Sequence, residues 1–117
     1  MAVASVGSID TAHALEALLR DFGLSRDRLA QLLRTTTRTV QRWLQGTTPS
    51  PPYARRIRDL HCLDQRLGDV LTADGVRTWL HARNRELGGN SPLDLLTIDR
   101  TDEVLSAIDV LETGPYT

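Results

Sequence analysis

The sequence predicts an all-α protein made of two small helical halves. Apolar residues recur at helical spacing along nearly the whole chain, and no segment alternates in the manner of a strand. Ser, Thr and Asp caps at one end and Gly or Pro at the other punctuate those stripes at short intervals. Charge divides in step with this pattern. Residues 1–58 hold nine Arg against four acids, a balance of +5, and residues 59–117 hold five Arg against eleven acids, a balance of −6. The formal total of −1 over 117 residues therefore conceals two opposed surfaces. Such a chain suits a protein with two binding faces better than a uniform enzyme.

Asp10 is placed to cap a first helix, with Leu15, Leu18, Leu19 and Phe22 on its inner face and Gly23 at its end. Ser25 caps a second helix, flanked by the hydrophobic staple pair Leu24 and Leu29. Leu29, Ala30, Leu32 and Leu33 form its buried side. Thr36 caps a third helix, which buries Val40, Trp43 and Leu44 and stops at Gly46. Helices this short are marginal alone and must pack on one another. Thr47 to Pro52 contains three prolines and is expected to form a stiff connector.

A longer helix follows from about Tyr53 to Leu71, with Ile57, Leu60, Leu63, Leu67, Val70 and Leu71 along one stripe. Thr72 caps the next, which carries Val76, Trp79 and Leu80. Gly88-Gly89-Asn90 predicts a turn. Ser91-Pro92 restarts a short helix with Pro at its first position, buried through Leu93, Leu95 and Leu96. Thr101 is expected to cap the last helix, with Asp102 and Glu103 in its first turn and Val104, Leu105, Ile108 and Leu111 inside. Gly114-Pro115 ends it. Residues 1–52 thus form one domain with its connector, and residues 53–117 the other.

Composition excludes several classes. No apolar run approaches the roughly 20 residues that span a bilayer. Met1 to Ser8 lacks the positive charge and apolar length of a signal peptide. Cys62 stands alone, so no intrachain disulfide forms, and a reducing cytoplasm fits. Five aromatics are too few for a base-stacking single-strand binder. His61 beside Cys62 suggests a metal, but the spacing of a four-ligand site is missing, and Cys62 reads as a small, partly buried packing residue. His13 and His81 have no nucleophile or paired carboxylate beside them. Neither an enzymatic activity nor a cofactor is expected.

Between Phe22 and Arg58 there are eight Arg and one acid, Asp27. Helices two and three have the length and spacing of a helix-turn-helix. The exposed stripe of the third is Arg38, Gln41, Arg42 and Gln45, long hydrogen-bonding groups at i, i+3, i+4 and i+7. Arg can pair bidentately with guanine, Gln can meet adenine, and Thr37 can touch a thymine methyl. Such a helix enters the major groove of double-stranded DNA by its N-terminal end, which selects Thr37, Arg38, Gln41 and Arg42 as readers. Arg26 and Thr36 stand where phosphate contacts fall. The same stripe could also be a solvated face on an ordinary bundle. Thr36-Thr37-Arg38-Thr39-Val40-Gln41-Arg42-Trp43-Leu44-Gln45-Gly46 resembles the Xre-type helix-turn-helix. The family's turn has Gly then an aliphatic residue where this chain has Arg34 and Thr35, so Arg34 would have to hold a left-handed or an altered turn.

Residues 53–117 by themselves suit a dimerisation domain, since a helix-turn-helix protein normally pairs to engage two half-sites. Trp79-Leu80, Asn84, Leu87-Gly88-Gly89 and Ser91-Pro92-Leu93-Asp94-Leu95-Leu96 resemble the toxin-binding domain of the Xre/MbcA/ParS antitoxins. The ending from Val104-Leu105 to Gly114-Pro115-Tyr116-Thr117 is similar to the MbcA-like members, with Pro115 in place of a small aliphatic residue. The resemblance implies a homodimer that represses its own operon and an RES-domain toxin as partner, one that consumes NAD by phosphorolysis or hydrolysis. It also implies that Gly114, Pro115, Tyr116 and Thr117 enter the toxin's active-site cleft. The alternatives are a dimeric helix-turn-helix regulator without a toxin partner, and a toxin inhibitor whose helix-turn-helix is relict.

Overall fold

The computed structural model describes residues 3–114, with side chains described from Thr11 onward. Its helices are α1 (Val3–Asp21), α2 (Arg26–Leu33), α3 (Thr37–Leu44), α4 (Pro51–Val70), α5 (Ala73–His81), α6 (Pro92–Thr97) and α7 (Thr101–Thr113), with a 3-10 turn over Arg85–Leu87. The all-α expectation holds. Among the described residues the extended pairing amounts to one isolated bridge, Asn84 to Asn90. Two compact units divide the chain, Met1–Cys62 and Leu63–Thr117, and the division falls inside α4.

In the first unit, Leu15 and Leu18 of α1 and Phe22 just after it are buried with Leu29, Leu32 and Leu33 of α2, Val40 and Trp43 of α3, and Ile57 and Leu60 of α4. Three expectations are corrected here. α1 begins at Val3 and runs through Gly7, so Asp10 lies inside it rather than capping it; a single Gly lowers helix propensity by only about 1 kcal/mol and does not stop a helix. Leu44 is half-buried. α4 starts at Pro51, two residues before Tyr53, because a helix's first turn leaves its N–H groups without intrahelical partners and prolines cost nothing there. The non-helical connector is therefore residues 47–50.

Four helices end in one geometry. Leu24, Thr35, Thr47 and Arg100 each donate an N–H to the carbonyl five residues back, at 2.8–3.0 Å, and the residue before each has positive φ. This Schellman closure satisfies the last carbonyls. Gly23 and Gly46 adopt it without penalty, whereas Arg34 (φ 58°) and Asp99 (φ 65°) do so as non-glycine residues. Arg34 thus holds the left-handed turn. Arg34→Gly is expected to stabilise the chain by up to about 1 kcal/mol, the relief of strain partly offset by a more flexible unfolded chain. A denaturant midpoint that falls instead would show that the Arg34 side chain contributes more than its backbone costs.

In the second unit, Leu63, Leu67, Val76, Leu80, Leu87, Leu93, Leu95, Leu96, Val104 and Ile108 are buried. Thr72 caps α5 through the Gly75 N–H at 3.0 Å, and Ser91 caps α6 through the Asp94 N–H at 3.1 Å, both as the sequence predicts. The last helix differs. Arg100 occupies its cap position without a side-chain capping bond, its guanidinium pairing instead with Glu103, and Thr101 is already helical. α4 ends at Val70, which is exposed, and Leu71, Trp79, Leu105 and Leu111 are half-buried rather than core. The 3-10 turn follows an Asn84 side chain that accepts from the Glu86 N–H at 2.9 Å. A three-residue element of this kind leaves no periodicity to find.

Candidate functional site

The first candidate surface is built by α2, its turn and α3. Ser25 Oγ accepts from the Arg28 N–H at 3.1 Å and starts α2. Thr36 Oγ1 accepts from the Thr39 N–H at 3.1 Å and starts α3. The Thr36 hydroxyl also donates to Thr39 Oγ1 at 2.9 Å, so its proton is engaged locally. Thr37 Oγ1 donates to Asp27 Oδ1 at 2.6 Å, a bond that ties the first turn of α3 to α2. The single acid of the basic window therefore fixes the two helices to each other. Thr37 keeps its methyl and its oxygen lone pairs for other contacts.

Arg26, Thr36, Thr37, Arg38, Arg42 and Gln45 are exposed, and Gln41 is half-buried. An open cleft of about 510 Å³ is lined by Glu16, Leu19, Arg20, Arg26, Gln41, Leu44 and Gln45. It brings Arg26 and Gln41 together from different helices, while Arg38, Arg42, Thr36 and Thr37 lie outside its lining. Two further contacts hold the turn. Tyr53 Oη donates to the Arg34 carbonyl at 3.5 Å, and Arg56 Nη2 donates to the Leu32 carbonyl at 3.4 Å. The Tyr53 ring also lies against Trp43, with centroids 5.2 Å apart and planes at 51°. Asp27 and Tyr53 are residues that sequence reasoning missed. Asp27 left a signal, as the one acid among eight Arg.

The second candidate surface is the end of α7. Gly114 follows its last turn with φ 76° and ψ 158°, and its N–H donates to the Val110 carbonyl at 2.8 Å. Pro115, Tyr116 and Thr117, the other residues assigned to toxin binding, lie outside the described residues. Arg66 of α4 grips α7 just before this end. Its Nε and Nη2 donate to the two carboxylate oxygens of Glu112 at 3.0 and 2.6 Å, and Nη2 also donates to Asp109 Oδ1 at 2.8 Å. These hydrogen bonds hold the Glu112 carboxyl below the usual carboxylate range and the Arg66 guanidinium above its own. For a lowered carboxylate, the stabilisation is complete above the unfolded value and fades as pH falls through the folded one. Sequence reasoning missed Arg66. The i, i+3 spacing of Asp109 and Glu112 was the available signal.

Cys62 is exposed, which corrects its reading as partly buried. No group of three His, Cys, Asp or Glu among the described residues could hold a metal ion, and no described helix is long and apolar enough to cross a membrane.

Residues 63–114 match the antitoxin Xre/MbcA/ParS C-terminal toxin-binding domain. A "probable mycobacterial cidal antitoxin" of Mycobacterium tuberculosis is 36% identical to this chain over 118 residues, which cover 99% of both proteins. The chain belongs to the Xre/MbcA/ParS antitoxin family. A chain in the crystal structure of the M. tuberculosis MbcT–MbcA toxin–antitoxin complex has a similar fold, with a TM-score of 0.72 at 25% identity, covering 91% of this antitoxin and 96% of that chain. The toxin-binding domain match begins at Leu63, where the second compact unit begins, and ends at Gly114.

Proposed function

We propose that this antitoxin neutralises an RES-domain, NAD-consuming toxin through residues 53–117 and represses its own operon through residues 1–52, acting as a homodimer in the cytoplasm. The relationship to a mycobacterial antitoxin over the full length of both chains carries this reading. Gly114, Pro115, Tyr116 and Thr117 enter the toxin's cleft. An aromatic such as Tyr116 suits a nucleotide-sized apolar pocket. The eleven acids of residues 59–117 favour approach to such a cleft. The chain itself acts by occupying the cleft, with no chemistry of its own.

The test is co-expression with the product of the neighbouring reading frame. Growth is expected to stop with that protein alone and to recover with the full chain, which copurifies with it. Continued arrest with both proteins present overturns the toxin reading and leaves a dimeric helix-turn-helix regulator.

On DNA, Arg38, Gln41, Arg42 and Thr37 read bases while Arg26 and Thr36 meet phosphates. Exposure of Arg38 and Arg42 on a helix capped by Thr36 supports this assignment. Alanine at Arg38 or Arg42 is expected to cost about 1–3 kcal/mol in operator affinity and to blur preference at one base pair. Gel shifts on the chain's own promoter measure both. Unchanged affinity and selectivity in both variants would remove α3 from the DNA interface, as would binding with little salt dependence.

A further inference from the structure

The end of α7 is held against its own electrostatics. Asp109 and Glu112 stand in its last turn and a half, which contains no basic residue. Carboxylates there face the negative end of the helix dipole and repel each other at i, i+3 spacing. Left alone, this turn would fray. Arg66 reverses the balance from α4, taking both oxygens of Glu112 and one of Asp109. The bidentate grip fixes orientation as well as charge. Surface ion pairs add little to global stability, so the consequence is local order at Glu112, one residue before α7 ends and two before Gly114.

We propose that Arg66 is a positioning residue for toxin inhibition: its clamp on Asp109 and Glu112 fixes the last turn of α7, and so the point from which Gly114 to Thr117 leave the helix. The inference rests on the assignment of that tail to the toxin's cleft. Ordering this turn in advance removes part of the entropy that binding would otherwise cost. Arg66 acts through the tail and does not touch the toxin.

Affinity for the purified toxin partner, identified by copurification with the chain, is measured for four versions of the chain and tests this. They are the natural chain, Arg66→Gln, the chain ended after Thr113, and the two changes combined. Arg66→Gln is expected to weaken binding on the order of tenfold in the natural chain and to have no further effect in the shortened one. Amide exchange across residues 110–114 should quicken while that of α5 and α6 stays unchanged. The exchanged pair Arg66→Glu with Glu112→Arg should restore affinity to within about threefold. An equal loss in both backgrounds overturns the proposal, because Arg66 would then act on the toxin directly or on the whole fold. No loss from Arg66→Gln, where shortening does weaken binding, overturns it and leaves the tail assignment standing. Full affinity in the shortened chain overturns both.

Discussion

Replacement of Trp43 by alanine is expected to lower stability by about 3–5 kcal/mol, a large share of what a domain this small possesses. Trp43 is 4% exposed, and it packs on Tyr53 with ring centroids 5.2 Å apart. Its removal opens a cavity among residues that belong to different helices and cannot all close on it. The loss would spread along a short chain of contacts. Tyr53 loses the ring it packs on, and with it the support for its bond to the Arg34 carbonyl, where the strained turn into α3 begins. Operator affinity should therefore fall even though Arg38 and Arg42 are untouched. Trp43→Phe keeps an aromatic partner for Tyr53 and should lose distinctly less. Denaturant unfolding followed by the far-ultraviolet helix signal measures the change. A loss below about 1 kcal/mol for the alanine variant would show that the surrounding side chains refill the space and that Trp43 is not the centre of this core.

Most of the helical order was legible in the sequence because local chemistry specifies it. Ser25, Thr36, Thr72 and Ser91 each bond a backbone N–H of the helix they precede, as their spacing predicted. The helix ends divide more instructively. Gly23 and Gly46 announce a left-handed residue. Arg34 could be suspected only from the resemblance to the Xre-type turn, where the family has Gly. Asp99, with the same backbone geometry, gave no sign at all. The Schellman closure is a demand of the backbone, and a side chain tolerates it where the packing of the next helix compensates. Likewise Pro51 and Pro52 read as breakers, yet they begin α4, because the same missing N–H that stops a helix is harmless at its start. The Thr37–Asp27 bond and the Arg66 clamp span ten and more than forty residues, and no local pattern encodes such pairings. Charge counting nonetheless pointed at both neighbourhoods. The lone acid between Phe22 and Arg58 and one of the few Arg of the acidic half are the residues that tie helices together.

Ending the chain after Thr113 is expected to weaken binding to the RES-domain toxin by roughly 30-fold to 1000-fold, and to leave cells arrested in co-expression. The estimate follows from what is removed. Tyr116 would supply the kind of buried aromatic anchor whose loss typically costs about 2–4 kcal/mol. What remains is as informative. α7 ends at Thr113, and the Arg66 pairing to Asp109 and Glu112 is untouched. The fold loses the backbone bond from the Gly114 N–H to the Val110 carbonyl, worth about 0.5–1.5 kcal/mol. The melting temperature should shift little, and operator affinity should not change, so lost neutralisation cannot be blamed on unfolding. Tyr116→Ala alone should reproduce most of the effect if the ring is the anchor. If it does not, while the shortened chain still fails, another part of residues 114–117 is the inhibitory element. Survival at the level of the full chain would place inhibition on the body of the second unit, where its acids and half-buried Trp79 would become the surface to dissect.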